Sequence, residues 1–244
     1  MNKYILPANS ERKLHLRGYK SWQGHKNCCL PISVGMPRHE GDKFELACEW
    51  ANDNFDHTFI MMADTLQRYN MMLHEGLSES KAFKKSLDAG DKWLERNLPA
   101  INLIKNKTIW RWEDWRIHPE METSFNRVKE LYKTRPDFRI SIGNSVGEFW
   151  NKRFADDPSY QDRKGDFFKL SSEYLLEETA ACALFEDKYD LIQSYPGTLP
   201  KAWTLFKNNP DPIVPGLSKA DYVELKFKKI KNNVANQDKA TGTQ

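Results

Sequence analysis

Four side chains in this sequence are of types, and at places, that could carry nucleophilic, proton-transfer or ammonium-binding chemistry. Ser33 follows a β-rich run and precedes Val34-Gly35-Met36-Pro37, where a strand should give way to a turn. Tyr174 and Glu178 lie four apart in a helical stretch over 165–187. At ~100° per residue, Phe167, Leu170, Tyr174, Glu178, Ala181 and Phe185 fall within about 60° of one direction. A carboxylate in such an apolar stripe must shift its pKa or find a partner. With a phenol one turn earlier, it makes either a hydrogen-bonded buried pair or a seat for a primary ammonium group. Glu177, next along, points off that stripe and is expected to stay solvated. Tyr195 closes another β-rich run ahead of Pro196-Gly197.

Those residues need a scaffold, and the chain can build one. Its 244 residues are 39% hydrophobic and 29% charged, enough for one domain with a substantial core. We expect a single domain over 1–230 and a polar, disordered tail over 231–244. Net charge is +3, so any nucleic-acid contact must come from a local patch. Cys28, Cys29, Cys48 and Cys182 show no C-x-x-C spacing and read as reduced thiols of a cytoplasmic protein. Met1 to Lys13 lacks the apolar run of a signal peptide, and no segment reaches membrane-spanning length.

Strands are expected at Asn27–Ile32, His57–Ala63, Thr108–Trp112, Phe138–Ile142 and Asp190–Tyr195. Helical patterns lie near 41–53, 64–75, 78–98, 120–134, 145–155, 165–187, 199–208 and 219–230. The alternation predicts an α/β fold with a roughly five-stranded parallel sheet and helices on both faces. In such a sheet, ligands gather at the carboxyl ends of the strands, the edge to which Ser33, Tyr195 and Ala63-Asp64-Thr65 all belong. Asp64 or Thr65 serves equally well as a helix cap.

Ile32-Ser33-Val34-Gly35-Met36, the Tyr174-x-x-x-Glu178 pair and Tyr195-Pro196 together resemble the tRNA-dependent cyclodipeptide synthases. Met36 and Pro196 are similar to the branch lacking asparagine and histidine there, and Asp64-Thr65-Leu66-Gln67-Arg68 and Arg111-Trp112 also fit it. The resemblance spans roughly residues 25–200. It implies a Rossmann-like domain similar to class I tyrosyl- and tryptophanyl-tRNA synthetases, with two aminoacyl-tRNAs as substrates, no cofactor and no metal, acting as a monomer. Ser33 would take the first aminoacyl group. The second aminoacyl-tRNA would then supply its amine, giving a dipeptidyl-enzyme that cyclises off the serine. Tyr174 and Glu178 would hold the first ammonium, and Tyr195 would assist near the reacting carbonyl or in the final proton transfer. Gly35, Met36, Cys29, Ala181 and Gln193 are the expected pocket walls.

Two alternatives remain from the residues themselves. One is a non-catalytic tRNA-binding relative of the synthetases. The other is a serine hydrolase, because Gly143-Asn144-Ser145-Val146-Gly147 spells a nucleophile elbow. All six histidines precede Ser145, against the order of that fold's triad, so Ser145 reads better as a helix cap with Glu148 completing a capping box. No phosphate-binding loop is present. His39-Glu40-Gly41-Asp42 lacks the second histidine of an ATP signature and offers no metal spacing. Trp110, Trp112 and Trp115 read as packing residues.

Lys81, Lys84, Lys85, Lys92 and Arg96 fall on one helical face about 22 Å long, opposite Phe83, Leu87, Leu94 and Leu98. That stripe is either a solvated surface or a contact for tRNA phosphates.

Overall fold

The computed structural model describes residues 3–4, 12–18, 22–198 and 201–229. The expected tail over 231–244 therefore lies outside the described residues. Seven strands form one sheet: β1 (Lys3–Tyr4), β2 (Arg12–Gly18), β3 (Asn27–Ser33), β4 (His57–Ala63), β5 (Lys107–Arg111), β6 (Leu191–Tyr195) and β7 (Asp221–Lys229). Their order is β1-β2-β7-β6-β3-β4-β5. From β7 to β5 every pairing is parallel, and β1 and β2 extend the β7 edge antiparallel. The chain runs outward from β3 through β4 to β5, then returns to place β6 on β3's other side. That reversal makes β3/β6 the topological switch point, where open α/β sheets bind ligands.

The described helices are α1 (Gly41–Asn54), α2 (Arg68–Glu75), α3 (Glu79–Ile101), α4 (Trp112–Arg116), α5 (Met121–Thr134), α6 (Pro136–Arg153), α7 (Pro158–Gln161), α8 (Lys164–Lys188), α9 (Lys201–Asn208) and α10 (Pro215–Lys219). Strand alternation sorts the core. Cys28, Leu30, Ile32, Ile60 and Met62 meet Phe44, Trp50 and Trp93 of α1 and α3 on one face. Cys29, Phe59, Met61 and Ala63 meet residues of α4, α5, α6, α8 and α9 on the other. The four cysteines are buried and free.

Two expected elements are overturned. Phe138–Ile142, expected as a strand from its alternation, is helical: Phe138, Ile142, Val146 and Trp150 recur every fourth residue and all are buried along α6. Conversely, the helix expected over 219–230 is a strand, in which Val223 and Leu225 alternate with polar residues as the buried side of β7. The packing face of α3 also differs. Ala82, Ser86, Gly90, Trp93, Asn97 and Ile101 are buried, whereas Leu98 is exposed. The basic residues remain on the outer side.

Gly90 faces a crowded junction. A Cβ there would lie 2.7 Å from Asp64 Oδ2 and 2.7 Å from Arg111 Nη2. Asp64 is completely buried, accepting from Thr65 N–H (2.8 Å), Trp112 N–H (3.1 Å) and Arg111 Nε (2.6 Å). It caps the 3-10 turn Thr65–Gln67 and ties that turn to the end of β5. Its role is thus the capping one, and it places Gln67.

Candidate active site

A cavity of about 780 Å³ lies above the carboxyl ends of β3 and β6, on the α8 side of the sheet. Ser33, Gly35, Met36, Tyr174, Glu178, Gln193 and Tyr195 all line it. Cys29 and Ala181, expected as wall residues, sit behind it at 0% exposure, and the lining position near them on α8 is Cys182. One cavity therefore gathers residues from β3, β6 and α8 that are up to 162 positions apart.

Ser33 is the last residue of β3. Met36 N–H donates to Ser33 C=O across 3.1 Å, and Gly35 takes φ 86°, so the chain turns tightly past the serine where only glycine is comfortable. Ser33 Oγ lies 3.3 Å from Tyr195 Oη. The tyrosine's pKa is raised, chiefly by burial, so it stands as a neutral phenol that can give or pass a proton. Arg38 Nη1 donates to Pro196 C=O across 2.6 Å, fastening the loop after Ser33 to the end of β6.

Tyr174 and Glu178 project from α8 one turn apart. Gln67 Nε2 donates to Tyr174 Oη across 3.4 Å, and Asn70 Nδ2 donates to Gln67 Oε1 across 2.7 Å. Burial pushes the Glu178 carboxyl up to about 7, and no cation among the described residues offsets it. Glu177 is the opposite case and corrects the expectation that it is solvated. It is 4% exposed and accepts from both terminal guanidinium nitrogens of Arg68, from Tyr69 Oη (2.7 Å) and from Trp112 Nε1 (2.7 Å). Burial alone would raise its pKa, but these donors hold it below the ordinary glutamate value. The one-stripe reading failed because the second half of α8 is enclosed almost all round, with Leu176, Thr179, Ala180, Cys182 and Ala183 buried as well.

Behind the wall, Gln193 Nε2 donates to Glu186 across 2.7 Å, and burial pushes the Glu186 carboxyl up to about 8. Ser145 also lines the cavity, but mid-helix in α6, with its hydroxyl donating to Ser141 C=O across 3.0 Å. No strand precedes it, so it is neither nucleophile elbow nor helix cap, and Glu148 pairs with Lys201 instead of completing a capping box. The hydrolase reading loses its scaffold. Among the described residues, no three His, Cys, Asp or Glu side chains cluster to hold a metal. No described helix is long and apolar enough to cross a membrane.

The sequence reading missed His39, which is 2% exposed and packs edge-on against Tyr195 with ring centroids 5.2 Å apart. Its nearness to Ser33, six residues on, was the available signal. Gln67 entered that reading only as part of a motif.

No protein-family model and no curated protein matches the chain. Among solved structures, a cyclodipeptide synthase from Fluoribacter dumoffii superposes with a TM-score of 0.79 at 28% identity, over 90% of this chain and 100% of that one. The chain is similar, over nearly its whole length, to a cyclodipeptide synthase. Two other cyclodipeptide synthases, less similar in sequence, share the fold. Cyclo(L-leucyl-L-phenylalanyl) synthase matches at 16% identity and TM-score 0.69, over 90% of this chain and all of that one. The synthase from Candidatus Glomeribacter gigasporarum, solved bound to Phe-tRNAPhe, matches at 17% identity and 0.67, over 88% of this chain and 93% of that one.

Proposed function

We propose that this protein joins two aminoacyl groups, delivered by two aminoacyl-tRNAs in the cytoplasm, into a cyclic dipeptide, and that it does so as a monomer through esters of Ser33. The observation that carries this reading is the cavity itself. It holds a strand-end serine touching a phenol, with a second phenol and a carboxyl that has no cation beside it among the described residues on the facing helix.

In the first step Ser33 Oγ attacks the aminoacyl ester. The bond to the ribose oxygen breaks, the serine ester forms, and the serine's proton leaves on the ribose hydroxyl. The substrate is already activated, so positioning and charge stabilisation lower the barrier without a full triad. The ammonium group of the acyl chain docks at Glu178 and Tyr174. Burial alone holds that carboxyl near 7; the docked ammonium favours its carboxylate form, which can take a proton from the ammonium when the amine must react.

Atom balance corrects the second step as expected from the resemblance. If the incoming amine attacked the serine ester, Ser33 would be freed and the dipeptide would sit on tRNA. A dipeptidyl-enzyme instead requires the serine-bound residue's own amine to attack the second aminoacyl ester, releasing the second tRNA. The new terminal amine then attacks the Ser33 ester, closing the ring. Tyr195, 3.3 Å away, returns a proton to Ser33 Oγ.

The outer face of α3 is the proposed tRNA contact. Lys81, Lys84, Lys85, Lys92 and Arg96 are all exposed. Lys85, Lys92 and Arg96 pair with Glu75, Asp88 and Glu40. Expression in a bacterial host followed by mass spectrometry of the medium tests the reading. A diketopiperazine mass that appears with the native chain and not with Ser33→Ala supports it, and its absence from both contradicts it.

A further inference from the structure

A histidine six residues after a nucleophilic serine invites a serine–histidine dyad, and the geometry here denies it. The Ser33 backbone N–H donates to His39 Nδ1 across 2.8 Å, so that nitrogen's lone pair is taken. The neutral ring then carries its hydrogen on Nε2, which is buried and has no hydrogen-bond partner among the described residues. Neither nitrogen is left to accept the Ser33 hydroxyl proton. In that tautomer Nδ1 carries no hydrogen, so its 3.2 Å approach to Ser33 C=O, which accepts from Met36 N–H, is proximity rather than a second bond.

We infer that His39 is a positioning residue, fixing Ser33 through its backbone and Tyr195 through its ring, so that the hydroxyl and the phenol stay within reach of one another. This rests on the acyl-serine reading above. Three observations carry the inference. The imidazole touches both partners of the Ser33–Tyr195 contact and belongs to neither strand. Its own segment is anchored from behind, since Trp93 Nε1 donates to His39 C=O across 3.0 Å and Glu40 accepts from Arg96 and Asn97 at 3.0 Å each. Burial pushes its pKa down to about 4, and the Ser33 N–H that donates to Nδ1 likewise favours the neutral ring. The ring is therefore neutral at any working pH. A consequence follows for the chemistry: Ser33's own N–H is occupied and is not a donor to the oxyanion.

The test compares His39→Asn with His39→Leu. Asparagine can offer an acceptor oxygen where Nδ1 stands, whereas leucine fills the space without one. With labelled aminoacyl-tRNA, His39→Leu should acylate Ser33 on the order of 10²-fold more slowly, with apparent KM nearly unchanged, because the loss is one of alignment. His39→Asn should recover most of that rate. The pH dependence should stay the same in both, since His39 does not titrate there. Nitrogen NMR on histidine-labelled native protein should show His39 as the neutral Nε2–H tautomer, without titration between about pH 5.5 and 8.5. That measurement stands even if His39→Leu fails to fold, and it does not require turnover. An Nδ1–H tautomer, or a leucine variant that acylates at the native rate, overturns the positioning role. Native protein that shows the Nε2–H tautomer but never acylates Ser33 overturns the acyl-serine reading, and with it any role for His39 in that step.

Discussion

Arg68 and Glu177 form a two-pronged ion pair closed off from solvent and joined by Tyr69 and Trp112, while Glu178, one residue later, faces the cavity with no cation beside it among the described residues. The pair locks α8 to α2 and to the start of α4. The first carboxylate's charge is committed to the fold, and the second is the one that the proposed function assigns to the substrate ammonium. Breaking a buried pair leaves one charge stranded, so Arg68→Met should cost about 3–5 kcal/mol, read by denaturant unfolding. Adding Glu177→Leu to that variant should recover part of the loss. Equal stability of Arg68→Met and the native protein would mean that the pair is not closed in solution.

Glu178→Gln should separate function from stability. The folded pKa of Glu178 lies near 7, above its ordinary value of 4.5, so the folded state holds this proton more tightly than the unfolded chain. Stability is therefore lost as pH rises from about 4.5 through 7. The glutamine variant, free of that loss, should melt a few degrees higher than native at about pH 8 and equally at about pH 4. Its acylation rate should nonetheless fall by orders of magnitude. In the native protein, kcat/KM for the first aminoacyl-tRNA should rise with pH through about 7, as the carboxylate that binds ammonium forms. A pH-independent rate would contradict this role.

Gly90→Ala tests the junction beneath Gln67. The added carbon would meet Asp64 Oδ2 and Arg111 Nη2 at 2.7 Å, on side chains already fixed by hydrogen bonds. The helix gains propensity but the clash outweighs it, so a net destabilisation of about 1–3 kcal/mol is expected in thermal or urea unfolding. A stabilised variant would show that the junction yields easily.

Lys81 and Lys84 should matter more to tRNA than Lys92, whose charge is matched by Asp88 one turn earlier. Removing a single lysine that neutralises a phosphate should reduce the slope of log K against log salt by roughly 0.7–0.9. In Lys81→Glu/Lys84→Glu, affinity should drop by a similar factor for every tRNA, because phosphates carry no sequence. An unchanged salt slope in filter binding would place the tRNA elsewhere.

Much of the candidate site's placement at one cavity was legible in the chain because the signals were local. Ser33 before Gly35 marks a strand end and a turn, and Tyr174 with Glu178 is a one-turn spacing that any helix converts into a shared face. The parallel strands β3, β4, β5 and β6 carry dense β-branched, aromatic or apolar runs. What failed was period assignment in short mixed segments. Phe138-Arg139-Ile140-Ser141-Ile142 alternates like a strand over its short length, and only the longer spacing to Val146 and Trp150 reveals the helix. Glu177 and His39 were misjudged or missed for a different reason. Arg68, Tyr69 and Trp112 are remote from Glu177, and Tyr195 from His39, whose one nearby partner is Ser33; a buried polar residue cannot be told from a solvated one until the remote partners are placed.

The central claim is the ester on Ser33, and one quench experiment addresses it directly. Native protein mixed with aminoacyl-tRNA labelled on its amino acid, stopped with acid and digested, should yield label on the peptide that contains Ser33. Ser145→Ala should label like the native chain and Ser33→Ala should not. Label that persists in Ser33→Ala, or a cyclic dipeptide still made by that variant, would contradict the account.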